Sequence, residues 1–115
     1  MDLNFLTEEA ILGDKRLHYA VVELANAVVA LFWEGDEPRL GTLSVTLPDR
    51  VSSTLLGERD ILLGQLLGEH LSAIYGKLVL VSTNFSVSTG REAGRKLIEM
   101  VRKLAGFSSN IERIE

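Results

Sequence analysis

Few residue types in this chain could carry covalent or proton-transfer chemistry, and they do not converge. The 115 residues hold two histidines and no cysteine, which excludes thiolate nucleophiles, disulfides and sulfur-ligated metals. Catalysis needs titratable or nucleophilic groups brought to one place. His70 falls in the middle of the apolar face of a helix-like segment, where a satisfied core or interface histidine is the expected role. His18 opens a strand-like segment and reads as structural or exposed. Neither lies in an HxxE-type spacing, so a metal has no evident ligands. One stretch has the order of a phosphate-binding loop: Ser82 to Lys96 reads strand, polar loop, helix, with Gly90, Gly94, Arg95 and Lys96. A P-loop requires G-x-x-x-x-G-K-[ST]. Here the glycines are one residue too close, Leu97 follows Lys96, and Gly94 falls inside the helix. The residues therefore read as a non-enzyme with no cofactor.

The remaining candidates are groups that bind or pack. Gly64 and Gly68 form a G-x-x-x-G pair at one flank of a helical apolar face. Each glycine costs about 1 kcal/mol in a helix interior, so another backbone is expected to come close there. It belongs either to a neighbouring strand of the same chain or to a second subunit. Arg91, Arg95 and Arg102 fall within about 40° of one another on a second helix, opposite its apolar stripe. They form either a solvated face or a docking strip for an acidic partner, which would give steering and register more than affinity. Phe32 and Trp33 end a strand that is apolar on both faces, and are candidates for a dimer contact or for close packing.

These residues are positioned by a recognisable series of elements. Asn4 to Leu12, punctuated by Gly13-Asp14-Lys15, is expected to be an N-terminal strand turning back into the next. His18 to Leu24 is rich in β-branched residues, and Ala25-Asn26 makes a tight hairpin, since Asn tolerates positive φ. Ala27 to Trp33 suggests a central strand, or one covered by helices on one side and by a partner on the other. After a turn at Gly35-Asp36-Glu37-Pro38, Leu40 to Leu47 alternates: Leu43, Val45 and Leu47 on one face, Thr42, Ser44 and Thr46 on the other. A helix is predicted over about 61–75, with Asp60 as N-cap and Gly76 at the left-handed C′ position. Its apolar face holds Leu63, Leu66, Leu67, His70, Leu71 and Ile74, with Gln65, Glu69 and Ser72 opposite. Leu78 to Ser82 is a short buried strand. A second helix is predicted over about 90–105, opened by a Thr89/Glu92 capping box and stopped by Gly106. Residues 1–106 form one domain, and 107–115 a loosely held tail. The fold class is α+β: a mainly antiparallel sheet or sandwich with two long helices.

Bulk properties narrow the partners. Net charge is −4 and pI about 5.2, a balance that speaks against general nucleic-acid binding. The longest apolar run, Ala27 to Trp33, is far short of the roughly 20 residues of a membrane span. The N-terminus lacks the basic and apolar regions of a signal peptide. A soluble, cytoplasmic protein is expected.

The run from His18 to Phe85 resembles the proteasome assembly chaperones of the 3 and 4 type, closest to the chaperone 4 member. The resemblance is carried by Leu31-Phe32-Trp33-Glu34-Gly35, then Pro38-Arg39-Leu40, then Ser52-Ser53-Thr54-Leu55-Leu56-Gly57. After the helix it continues through Lys77 to Ser82 and Asn84. Gly41-Thr42-Leu43 is shared with the chaperone 3 member. The match covers about two-thirds of the chain and rests on strand and turn patterns. It implies a non-enzymatic chaperone that dimerises through its sheet, with itself or with a paralogue, and holds a proteasome α-subunit during ring assembly. Another class of proteasome chaperones docks a C-terminal hydrophobic-Tyr-x tail; this chain ends Arg113-Ile114-Glu115, so tail docking is not expected. The rival class is a roadblock- or longin-like dimeric adaptor that scaffolds a small GTPase. A small-ligand binder at the Ser82–Gly90 loop is a third. Dimerisation also has a physical basis, since helices enough for one side of a two-faced apolar sheet leave the other side to be covered.

Overall fold

The computed structural model describes residues 4–49 and 51–114, with side chains described except at 4, 87, 88, 90, 91 and 105–114. The chain runs β1 (Asn4–Leu12), β2 (Lys15–Glu23), β3 (Ala27–Glu34), β4 (Thr42–Thr46), β5 (Ser52–Leu56), α1 (Ile61–Tyr75), β6 (Leu78–Asn84) and α2 (Val87–Ile114). The six strands form one sheet in the order β1-β2-β3-β6-β4-β5. β6 runs parallel to β3, and the other described pairs are antiparallel. The class is α+β as expected, although the chain itself supplies one sheet rather than a sandwich.

Local chemistry accounts for most of the boundaries. Gly13 takes φ 63° at the β1–β2 turn, and Gly76 takes φ 65° after α1, where its N–H donates to the Ser72 carbonyl at 2.8 Å. The hairpin at Ala25-Asn26 forms, with the Leu24 N–H donating to the Ala27 carbonyl at 2.7 Å. It does not use positive φ at Asn26: among described non-glycine residues only Asp60 has it. Asp60 does stand at the N-cap of α1, but in the left-handed region and with no side-chain cap bond.

α2 departs further from the expectation. It begins at Val87, not Gly90, and continues past Gly106 to Ile114. Thr89 is therefore the third helical residue, and Ser86 takes the cap: its hydroxyl accepts the Thr89 N–H at 3.4 Å. A capping box from Thr89 to Glu92 is not possible there, because Thr89 is already inside the helix. The segment 107–114 is helical, and Glu115 lies outside the described residues.

Both helices lie on one face of the sheet. α1 packs over β4 and β6, and α2 packs beside α1 and reaches β1. The core between the layers takes Leu17, Tyr19 and Val21 from β2, Val28, Ala30 and Phe32 from β3, and Val79 and Val81 from β6. Against them stand Leu63, Leu67 and Leu71 of α1, and Ala93, Leu97, Met100, Val101 and Leu104 of α2. Two positions on α1 differ from its predicted face. Leu66 is 36% exposed, whereas Ser72 is buried and its hydroxyl donates to the Leu47 carbonyl at 3.1 Å.

Candidate protein–protein interface

Strand register decides which side chains share the face that the helices leave open. Because side chains alternate along a strand, the partners of each open-face residue point the same way. One row across the sheet is Phe5, Val22, Val29, Leu80, Val45 and Ser53. The next is Thr7, Ala20, Leu31, Ser82, Leu43 and Leu56. A third begins at Leu24 and Ala27 and passes through Leu78, with Leu47 at the end of β4. At the opposite end lies a fourth row, Glu9, His18, Trp33 and Asn84. The first three rows contain no charged residue.

β4 shows most clearly that this face is not ordinary solvent surface. Thr42, Ser44 and Thr46 point under α1 and are buried, while Leu43 and Val45 point to the open side. In a monomer with one wet face, the apolar side of such a strand belongs on the core. Here it is turned away from the molecule's own helices. β3 is apolar on both faces, as its sequence suggested.

The glycine pair explains how a hydroxyl-lined strand can pack under a helix. A Cβ on Gly68 would stand 2.2 Å from Thr46 Oγ1, and one on Gly64 would stand 3.4 Å from Ser44 Oγ. The approaching element is thus β4 of the same chain. Thr46 Oγ1 also bonds Ser52 Oγ at 2.8 Å, so it cannot rotate away without breaking that pair. Gly68→Val is expected to lower folding stability by about 2–3 kcal/mol, the cost of overpacking. Gly64→Ala should be neutral or stabilising by up to about 1 kcal/mol from helix propensity. Denaturant unfolding of the two variants checks the difference.

The other candidates separate. Phe32 and Trp33, adjacent in sequence, lie on opposite faces. Phe32 is fully buried in the helix-side core and so is no dimer contact. Trp33 lies on the open face and stacks on His18, with ring centroids 5.3 Å apart and planes 11° from parallel. Arg95 and Arg102 are exposed on α2; the side chain of Arg91 lies outside the described residues. Sequence reasoning passed over a further apolar group at the other margin of the molecule: Leu55 on β5, with Ile61, Leu62 and Leu66 of α1, all at least 36% exposed. Its signal was present, since Leu55-Leu56 and Ile61-Leu62 are doublets that one buried face cannot accommodate.

Glu34, at the end of β3, holds the start of α2. Its Oε1 accepts the Ser86 N–H at 2.5 Å and its Oε2 accepts the Thr89 hydroxyl at 3.2 Å. Lys15 Nζ lies 3.9 Å away. A carboxylate thus occupies the helix N-terminus where a phosphate would sit, which removes the basis for ligand binding at the Ser82–Gly90 loop. Partial burial opposes ionisation of Glu34, but the Ser86 and Thr89 hydrogen bonds and the Lys15 charge outweigh it. Its carboxyl is held below the usual glutamate range. A lowered folded-state value stabilises the fold at neutral pH, and that contribution is lost as pH falls through the lowered value. Glu34→Gln should cost about 1 kcal/mol at pH 7 and flatten the acid limb of a plot of stability against pH.

No group of His, Asp or Glu able to hold a metal occurs among the described residues. None of their helices is long and apolar enough to cross a membrane. No family model and no curated protein matches the sequence. The fold does have a counterpart: a chain of the crystallised chaperone complex for yeast 20S proteasome assembly superposes with a TM-score of 0.67, at 12% identity, over 96% of this chain and 98% of that one. At that identity the likeness is one of fold alone: this chain shares the architecture of that subunit, and among the described residues nothing covers the sheet face opposite the helices.

Proposed function

We propose that this chain is a non-enzymatic, cytoplasmic assembly chaperone for the 20S proteasome, working as a homodimer that binds an α-subunit. The observation that carries the reading is the inverted β4, whose Leu43 and Val45 join an uncharged apolar face spanning the sheet. An apolar patch of that extent is an interface, and pairing with a second copy buries it with twofold symmetry. The sequence resemblance over His18–Phe85 and the fold shared with the yeast chaperone complex subunit support the chaperone class. A sheet-to-sheet dimer leaves the helix layer free. There Arg95 and Arg102 stand exposed on α2 and suit an acidic strip on the client.

The test is co-expression with the cognate proteasome α-subunit, followed by size-exclusion chromatography with light scattering. A defined complex of dimer and α-subunit supports the reading. A clean dimer that leaves the α-subunit unbound overturns the chaperone assignment and directs the search to small GTPases, the clients of a dimeric adaptor.

A further inference from the structure

The two edges of the sheet are built differently. β5 is five residues long, and its register against β4 shifts between Leu43 and Ser44. Shortness and a bulge both close an edge to further pairing. β1 has nine residues, no proline and an unbroken register against β2. The two-residue turn Gly13-Asp14 makes Leu12 and Lys15 a hydrogen-bonded pair, and the alternation continues through Ala10, Glu8 and Leu6. Phe5, Thr7, Glu9 and Ile11 therefore turn their N–H and C=O groups to the free edge, where no described residue bonds them. Their side chains point to the open face, and Phe5 and Ile11 are 61% and 64% exposed.

A groove of about 420 Å³ runs beside this edge. Glu8, Glu9, Ala10 and Ile11 form one wall, and Lys96, Glu99 and Lys103 of α2 form the other, with Met100 between them. Residues from both faces of β1 line it, so it lies along the outer side of the strand. A free strand edge beside a helix suits an extended peptide, which adds as a further strand through its backbone and is selected through alternate side chains. The charges on the walls choose the segment. On the helix wall two ammonium groups stand against one carboxylate, and neither lysine is ion-paired among the described residues. Arg95 and Arg102 lie exposed further round the same helix. Of the carboxylates on the strand, Glu9 points to the open face. Burial first, and the Glu8 carboxylate second, push the Tyr19 phenol above its usual range, a contact that ties Glu8 back toward β2.

We infer that the β1 edge accepts an extended segment of a protein partner as a further strand, with acidic side chains toward Lys96 and Lys103 and apolar side chains beside Phe5 and Ile11. This goes beyond the chaperone reading. The backbone groups of the edge lie in the plane of the sheet, so two copies that meet face to face leave them free. Added residues opposite Phe5, Thr7, Glu9 and Ile11 turn their side chains to the open face, and the residues between them turn toward α2.

The probe is the peptide fluorescein-TEVEVET-amide, whose seven residues span roughly 24 Å when extended, the length of Phe5 to Ile11. Fluorescence anisotropy with the full chain should show saturable binding below about 1 mM. The counterpart with lysine in place of glutamate should bind at least about tenfold more weakly. Thr7→Pro removes an outward donor and no bond to β2, so it should keep a thermal transition close to that of the wild type and weaken peptide binding by at least about tenfold. Lys96→Glu combined with Lys103→Glu, on the helix surface, should reverse the preference between the two peptides, and carries the test alone if Thr7→Pro does not fold. Absence of saturable wild-type binding overturns the inference. So does undiminished binding by a folded Thr7→Pro chain, a wild-type preference for the lysine peptide, or an unchanged preference in the double variant. A chain mass that falls in Thr7→Pro gives the edge to a second copy and overturns the partner assignment. None of these outcomes depends on whether the chain binds a proteasome α-subunit.

Discussion

Leu80→Arg is expected to yield a folded chain that no longer self-associates. Leu80 lies on β6 near the middle of the open face, between Val29 of β3 and Val45 of β4. It is partly buried in the single chain, so a long arginine stem can lie along its neighbours while the guanidinium reaches water. The cost to folding should stay near 1 kcal/mol, within the range of ordinary point substitutions. In a symmetric dimer the same charge appears twice, facing Val and Leu side chains that offer no acceptor. Burying an unpaired ion costs several kcal/mol even after relaxation, and 4 kcal/mol already corresponds to roughly a thousandfold in Kd. Light scattering should report a monomer at concentrations where the wild type is dimeric, with an almost unchanged thermal transition. A Leu80→Arg chain that still dimerises would move the interface off this face. The exposed Leu55, Leu62 and Leu66 would then be the next surface to substitute.

The parts of this architecture that are local in sequence were legible, and the parts set by distant residues were not. α1 runs over Ile61–Tyr75 as its periodicity predicts, because its apolar spacing and Gly76 lie within the segment itself. The apolar pattern of Ala27 to Trp33 correctly implied a central strand, with helices covering one of its faces. The start of α2 was misplaced because Thr89 and Glu92 match a capping box, whereas the carboxylate that organises the helix end comes from Glu34, 52 residues before Ser86. Only the parallel pairing of β3 with β6 brings those two residues together. The direction of β4 was hidden for a similar reason. Its alternation shows that one side is apolar, but not that α1 brings two glycines to the polar side, which lets hydroxyls line the helix contact. Phe32 and Trp33 could be told apart only once register fixed which of them faced the helices.

Register also makes Phe32→Ala the most damaging core substitution expected here. Phe32 has no exposed surface, and its ring meets Tyr19 at 5.8 Å between centroids with a 59° tilt. Truncating a buried phenylalanine to alanine costs about 3–5 kcal/mol, a large share of the roughly 5–15 kcal/mol that holds a domain together. At about 4 °C per kcal/mol for a chain near this length, the midpoint should fall by roughly 12–20 °C. Leu31, one residue earlier, lies on the open face and is only partly buried. Leu31→Ala should therefore leave the melting of the single chain nearly unchanged and appear as weaker association. The pair tests the face assignment directly, because a slip of one residue in β3 would exchange every inward and outward side chain. If Leu31→Ala proved the more destabilising, the helix-covered and open faces would be reversed. The surface assigned to dimerisation would then be the hydrophobic core.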